Sequence, residues 1–305
     1  MQNNNLDSIW QEFIVPISMT LLYGEYKKPE ILIKLEKFTE ENSINLEMFG
    51  FFLDQSMPFA PQPIDMIPFA TTGTDGTYFA FLTDFGRVKS LEEAPIIMYC
   101  GADFNYEEPS SSFTLFAKNI KDFLSISTQI YNPYFVYEAD PRLTNFKNEV
   151  EELLEDEFEE TEERTSIAKS LVKHLDLEVI ENLNEYYSEL MLQRHNKSEI
   201  KTKDGLNIIF EKLRGDYDKE IDDILGKEKL ISSLSELNKS SRLKFYRDYG
   251  DVYRNLDKDE FHYVLEVIIK FLKEDNLPRE AKVLEFDLNK KKNYNLYHKL
   301  KNNES

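Results

Sequence analysis

An α+β fold is what this sequence predicts, on three observations. Between Phe49 and Asp103 the chain breaks into short apolar or alternating runs, FGFFLDQ, DMIPFA, TYFAFLTD and APIIMYCG, separated by Pro and Gly; these are strand signals. On both sides of that block apolar residues recur three and four positions apart, as on amphipathic helices. Two of the strand runs are joined by TTGTDGT, where two glycines supply positive φ and an aspartate tolerates it, which suits a hairpin. The expected layout is an antiparallel sheet packed with helices over residues 1–140, an acidic connecting segment over 141–165, and an all-α domain over 166–305.

Each element has its local reason. Leu6–Leu22 reads as a helix capped by Asp7 or Ser8, with Trp10, Phe13 and Ile14 inward and Pro16 ending or bending it. Pro29–Glu40 is a clearer helix, with proline at its first turn and Ile31, Leu32, Leu35 and Phe38 on one face. Along Thr77–Asp84 both alternating sets carry apolar residues, which marks a central strand covered on both sides. After the apolar stretch Phe113–Ala117, Asn119 caps the helix IKDFLSISTQIY, which Asn132-Pro133 stops. Between Glu149 and Glu163 there are ten acidic residues and no basic one, the composition of a solvated helix or linker, or of a lure for a basic partner. Beyond it, Ser166–Asn182, Glu185–Gln193, Leu206–Leu213, Asp216–Leu225, Ile231–Leu237, Ser241–Tyr253 and Glu260–Glu274 read as helices. Gly205, Gly215, Gly226 and Gly250 are expected at element ends, and the basic tail NKKKNYNLYHKLKNNES is expected to fray.

Charge narrows the function classes. The formal net charge is −20, and residues 1–140 carry 20 acidic against 8 basic side chains. Such a chain repels polyanions, so direct nucleic-acid binding and docking on an anionic membrane are both disfavoured. A partner with a basic surface is favoured, although acidity for solubility alone gives the same number. One cysteine, Cys100 in the apolar run IIMYC, excludes an internal disulfide and suits a reducing compartment. With no signal-peptide pattern and no apolar run near 18 residues, a cytoplasmic location is expected.

The motifs that carry chemistry fail one by one. His174, His195, His262 and His298 are dispersed, and none has a partner at ligand spacing. The loop Gly73-Thr74-Asp75-Gly76 lacks both the lysine and the following helix of a phosphate loop. Asp65 with Asp75, or Asp84 with Asp103, could be imagined as a catalytic carboxylate pair, but solvated loop carboxylates are the ordinary case. DKEIDD and DKDE lack the twelve-residue calcium ladder, and there is no GxSxG. The expectation is no catalytic residue, no cofactor and no metal.

One family resemblance cuts across this silence. IDMIPFA leading to TTGTDGTYFAFLTD, then APIIMYCGAD, then FTLFAKNIKDFLSI, resembles the SUKH superfamily, which includes bacterial immunity proteins and yeast cell-wall regulators. The resemblance covers less than half of the chain. It implies a SUKH-like sheet module that works by binding protein, as an immunity protein neutralises a toxin such as a nuclease. On that reading the contact residues would lie on or near the hairpin and adjoining loops: Asp65, Asp75, Asp84, Asp103, Tyr106, Glu107 and Glu108. A regulatory or scaffold protein of the same fold is the alternative, and an enzyme with an unrecognised site the third reading.

Overall fold

The computed structural model describes residues 17–53, 63–73, 76–101, 109–130, 136, 161–209, 226–255 and 262–303. The fold is α+β, with its four-stranded antiparallel sheet in the N-terminal half. Two compact units interleave along the chain: one from Met1–Glu25, Ser56–Met66 and Phe210–Ser305, the other from Tyr26–Gln55 and Ile67–Ile209. The expected break after residue 140 is not the line along which these units divide, because residues 161–209 group with the sheet.

In the sheet unit, α2 (Glu30–Asn42) starts just after Pro29, the position where a fixed φ helps and a missing N–H costs nothing; α1 belongs to the other unit and is given below. The strands are β1 (Met66–Thr71), β2 (Thr77–Leu82), β3 (Ile96–Cys100) and β4 (Phe113–Ala117), in the spatial order β1-β2-β3-β4. β2 is therefore central and its residues are almost all buried, as the two apolar faces foretold. FGFFLDQ is not a full strand. Leu46–Phe49 is a 3₁₀ turn closed by Gly50 at φ 71°, and among the described residues of the run only Phe52 pairs, with Thr71.

α3 (Ile120–Ile130) follows β4, with the Asn119 side chain accepting from the Asp122 N–H at 2.9 Å as the sequence requires. Its Phe123 ring lies at the centre of the core. Phe51, Phe69, Phe79 and Phe116 surround it at centroid distances of 5.0–5.4 Å, in the tilted and edge-on geometries that aromatic quadrupoles favour. Thus one helix face, set by 3.6-residue spacing, meets one strand face, set by alternation.

α4 (Glu162–Leu175) is capped by Thr161 and packs against α2 and α3; α5 (Leu183–Lys197) is capped by Asn182. The helix expected over Leu206–Leu213 is corrected in its described part. Ser198–Ile200 (β5) and Ile208–Ile209 (β6) pair as a small antiparallel hairpin instead. Gly205 at φ 74° and Asn207 at φ 55° turn the chain there, and neither conformation continues a helix.

In the other unit the described helices are α1 (Met19–Tyr23), α6 (Lys227–Glu236), α7 (Lys239–Asn255), α8 (His262–Glu274) and α9 (Pro278–Asn303). α8 packs against α6, α7 and α9 through Val264, Leu265, Ile268, Phe271 and Leu272, all buried. Two expectations are corrected here. Gly250 lies inside α7 rather than at an end, and the tail is helical to Asn303 as the continuation of α9. The expected helices before Pro16 and over Asp216–Leu225 lie outside the described residues.

Two outcomes follow. Phe123→Ala should lower unfolding free energy by about 3–5 kcal/mol, because it removes the ring that four others contact; a loss under about 1 kcal/mol in a urea titration would show that the cluster does not organise this core. In the helical unit Lys227 and Lys292 donate to Glu266 at 2.8 and 3.0 Å and hold its carboxyl below the usual glutamate range. A depressed carboxyl contributes stability above its ordinary pKa and loses it as pH falls through the folded value. Glu266→Gln should therefore flatten the fall in melting temperature between about pH 5 and 3, and an unchanged slope would rule out this contribution.

Candidate functional site

The strand register brings two loops to one end of the sheet. Thr77 at the start of β2 faces Cys100 at the end of β3, and Gly101 N–H donates to Gly76 C=O at 3.4 Å. The β1–β2 turn and the segment after Gly101 leave from that end together. Across it runs an aromatic row: Tyr78 faces Tyr99, Tyr99 faces Phe113, and the last two rings stack at 5.0 Å. Both tyrosines are half-buried.

The turn itself is sterically specified. Thr71 Oγ1 donates to the Thr77 carbonyl at 2.7 Å and accepts from Gly73 N–H at 3.0 Å. Gly73 sits at φ 80°, which strains any residue with a side chain, and a β-carbon there would fall 2.5 Å from the Phe52 ring and displace it. On the inner side Thr77 Oγ1 lies 3.1 Å from Cys100 Sγ, which places the cysteine in the core as expected.

Of the seven anticipated contact residues, Asp75, Asp103, Tyr106, Glu107 and Glu108 lie outside the described residues, in the two segments whose flanks meet at this end. The other two are corrected. Asp84 lies beyond the opposite end of β2, and both Asp84 and Asp65 are 0 % exposed. Burying a carboxylate requires a cation and hydrogen bonds, and each has its arginine. Arg194 of α5 grips Asp84 with two bonds of 2.7 Å. Arg247 of α7 reaches Asp65 at 2.5 Å. In this structure neither carboxylate is offered to a partner.

Further arginine contacts went unseen in the sequence. Arg279 at the first turn of α9 donates to the carbonyls of Leu22 (2.6 Å), Ile64 (3.3 Å) and Met66 (2.6 Å) and pairs with Glu280. Its stem lies against Gly24, where a β-carbon would come within 3.1 Å. Arg279 and Arg247 thus grip the Ile64–Asp65–Met66 segment by its backbone and its side chain. Arg242 makes a forked pair with Asp275, which also accepts from the Tyr246 hydroxyl at 2.7 Å; burial first, then Asp275, pushes that phenol above its usual range. Tyr186 likewise donates to Asp122 and accepts from Lys118 N–H, both at 2.8 Å. Apart from the adjacent Arg279–Glu280 pair, no local sequence signal marks these contacts, because their partners are distant in the chain or on a neighbouring element.

Among the described residues no group of three His, Cys, Asp or Glu side chains is placed to hold a metal, and no described helix is long and apolar enough to cross a membrane. The buried ion pairs tie side chains of late helices to the approach of β1 and the exit of β2. Arg247→Met should cost about 3–5 kcal/mol by leaving the Asp65 carboxylate without its cation, and adding Asp65→Asn should return most of it. A double variant no better than the single one in chemical denaturation would refute that account. The chain matches no protein-family model and no curated protein.

Proposed function

We propose that this chain is a non-enzymatic protein-binding module of SUKH-like type that neutralises a toxin with a basic surface, a nuclease being the class that fits best, and that it acts in a cytoplasm. The observation that carries the reading is the Thr77–Cys100 pairing, which sets the flanks of the β1–β2 turn and of the 101–109 segment side by side. Those two segments contain Asp75, Asp103, Tyr106, Glu107 and Glu108 in the sequence. Acidic side chains with a tyrosine among them suit a basic partner, and the half-buried aromatic row of Tyr78, Tyr99 and Phe113 at this end of the sheet supplies apolar area for such an interface. The net charge of −20 adds a long-range field of the same sense, which accelerates encounter with a cationic surface. Asp65 and Asp84 are left out of this contact set.

Co-expression with the product of a neighbouring toxin gene tests the reading. The protein should protect the cells, and in purified form its association rate should fall steeply as salt rises. Charge reversal at Asp103, Glu107 and Glu108 together should slow association at low salt by about tenfold or more without shifting the thermal midpoint. Full protection by the reversed variant would remove the loop end from the contact, and failure to bind any neighbouring gene product would remove the immunity reading.

A further inference from the structure

Six non-glycine residues among those described have positive φ. Three of them have an ordinary explanation. Ser43, Asp176 and Asn276 each close a helix, and the amide after each bonds the carbonyl five residues before it: Ile44 to Thr39, Leu177 to Val172 and Leu277 to Leu272. The remaining three, Asp84 (φ 48°), Phe85 (φ 52°) and Asn207 (φ 55°), are at or beside the groups that one guanidinium holds. Arg194 takes both oxygens of Asp84 and donates to Leu206 C=O at 2.8 Å and Asn207 C=O at 2.6 Å.

The first of these stretches is unusual in kind. Asp84, Phe85 and Gly86 (φ 79°) are three consecutive left-handed residues that follow a strand, not a helix. Aspartate and glycine tolerate that region; a bulky phenylalanine is disfavoured in it. Phe85 is nevertheless 5 % exposed, packed in place. Backbone held in a sparsely populated region persists only where its surroundings over-determine it, and such positions gather at switch elements.

We propose that Arg194 is a latch: one guanidinium holds both the left-handed turn at the exit of β2 and the β5–β6 loop docked, and its release lets the two relax together while the sheet stays folded. The inference does not depend on what the loop end of the sheet binds. A plain structural ion pair gives a different outcome, so the two are separable. Arg194→Met alone leaves a buried carboxylate without its cation and lowers global stability on either account. Asp84→Asn combined with Arg194→Met removes that penalty, and asparagine keeps the tolerance for positive φ, so the turn's own preferences are little altered.

Hydrogen exchange on the full chain reads the difference. The amides of Arg87 and Val88, bonded to Asp84 C=O and Thr83 C=O, report the turn, and that of Asn207, bonded to Thr202 Oγ1, reports the hairpin. In the double variant these three should exchange about tenfold faster or more than in the wild type, while the strand amides of β2 and β3 keep wild-type protection. Wild-type exchange at the three reporters, or a rise shared equally by the strand amides, would overturn the latch.

Discussion

A carboxylate withdrawn from water must be met by a cation with the right hydrogen-bond geometry, or the fold that withdraws it does not form. Asp65 and Asp84 impose that condition at zero exposure, one in each unit. The cations that answer them come from helices 182 and 110 residues further along the chain. The approach to β1 and the exit of β2 are therefore completed only when late helices have docked. Such long-range closure is paid for in loop entropy before it gives contacts in return. The geometry also selects arginine: a planar fork can hold two carboxylate oxygens and still donate to carbonyls beside them, as Arg194 does, whereas an ammonium cannot present that plane.

The same condition redistributes the charge available for function. Buried acids matched by arginines contribute little to the external field, which is set by the remaining charged side chains. Beneath the loop end of the sheet, the register of β2 and β3 and the fit of Gly73 against Phe52 leave little freedom at the loop flanks. Behind them the rings around Phe123 join sheet to helix. On the proposed reading, a recognition surface on such a base loses less conformational entropy on binding than one on a mobile frame.

What could be read from the sequence was whatever local spacing encodes. β2 announced its two apolar faces through alternation, Asn119 announced α3 through a side-chain cap, and Pro29, at the N-cap rather than in the first turn, marked the start of α2. Leu206–Leu213 misled because its spacing alone fits a helix; the deciding facts are the positive φ of Gly205 and Asn207 and the pairing of Ile208–Ile209 with β5. Gly250 misled in the opposite direction, since α7 tolerates a glycine in its interior. Asp65 and Asp84 looked solvated because an aspartate beside a turn usually is. Nothing within ten residues of either one reveals its arginine, so the candidate site was legible as a pair of loops and illegible as a set of exposed acids.

Why an aspartate stands at position 84 at all is a question of specificity rather than of strength. An apolar residue of similar size would avoid desolvation and could leave the core as stable or more so. It would not tolerate φ 48° as aspartate does, and it would leave Arg194 without the two oxygens that fix its plane. With that plane fixed, the guanidinium's other donors point at Leu206 and Asn207 in one orientation only. On the latch proposal, the ion pair fixes how the 206–207 loop lies against the exit of the central strand, whatever its net contribution to stability. Buried polar contacts are best attested in that role of choosing one arrangement over its near neighbours, and here the arrangement chosen includes a turn whose own backbone preferences oppose it.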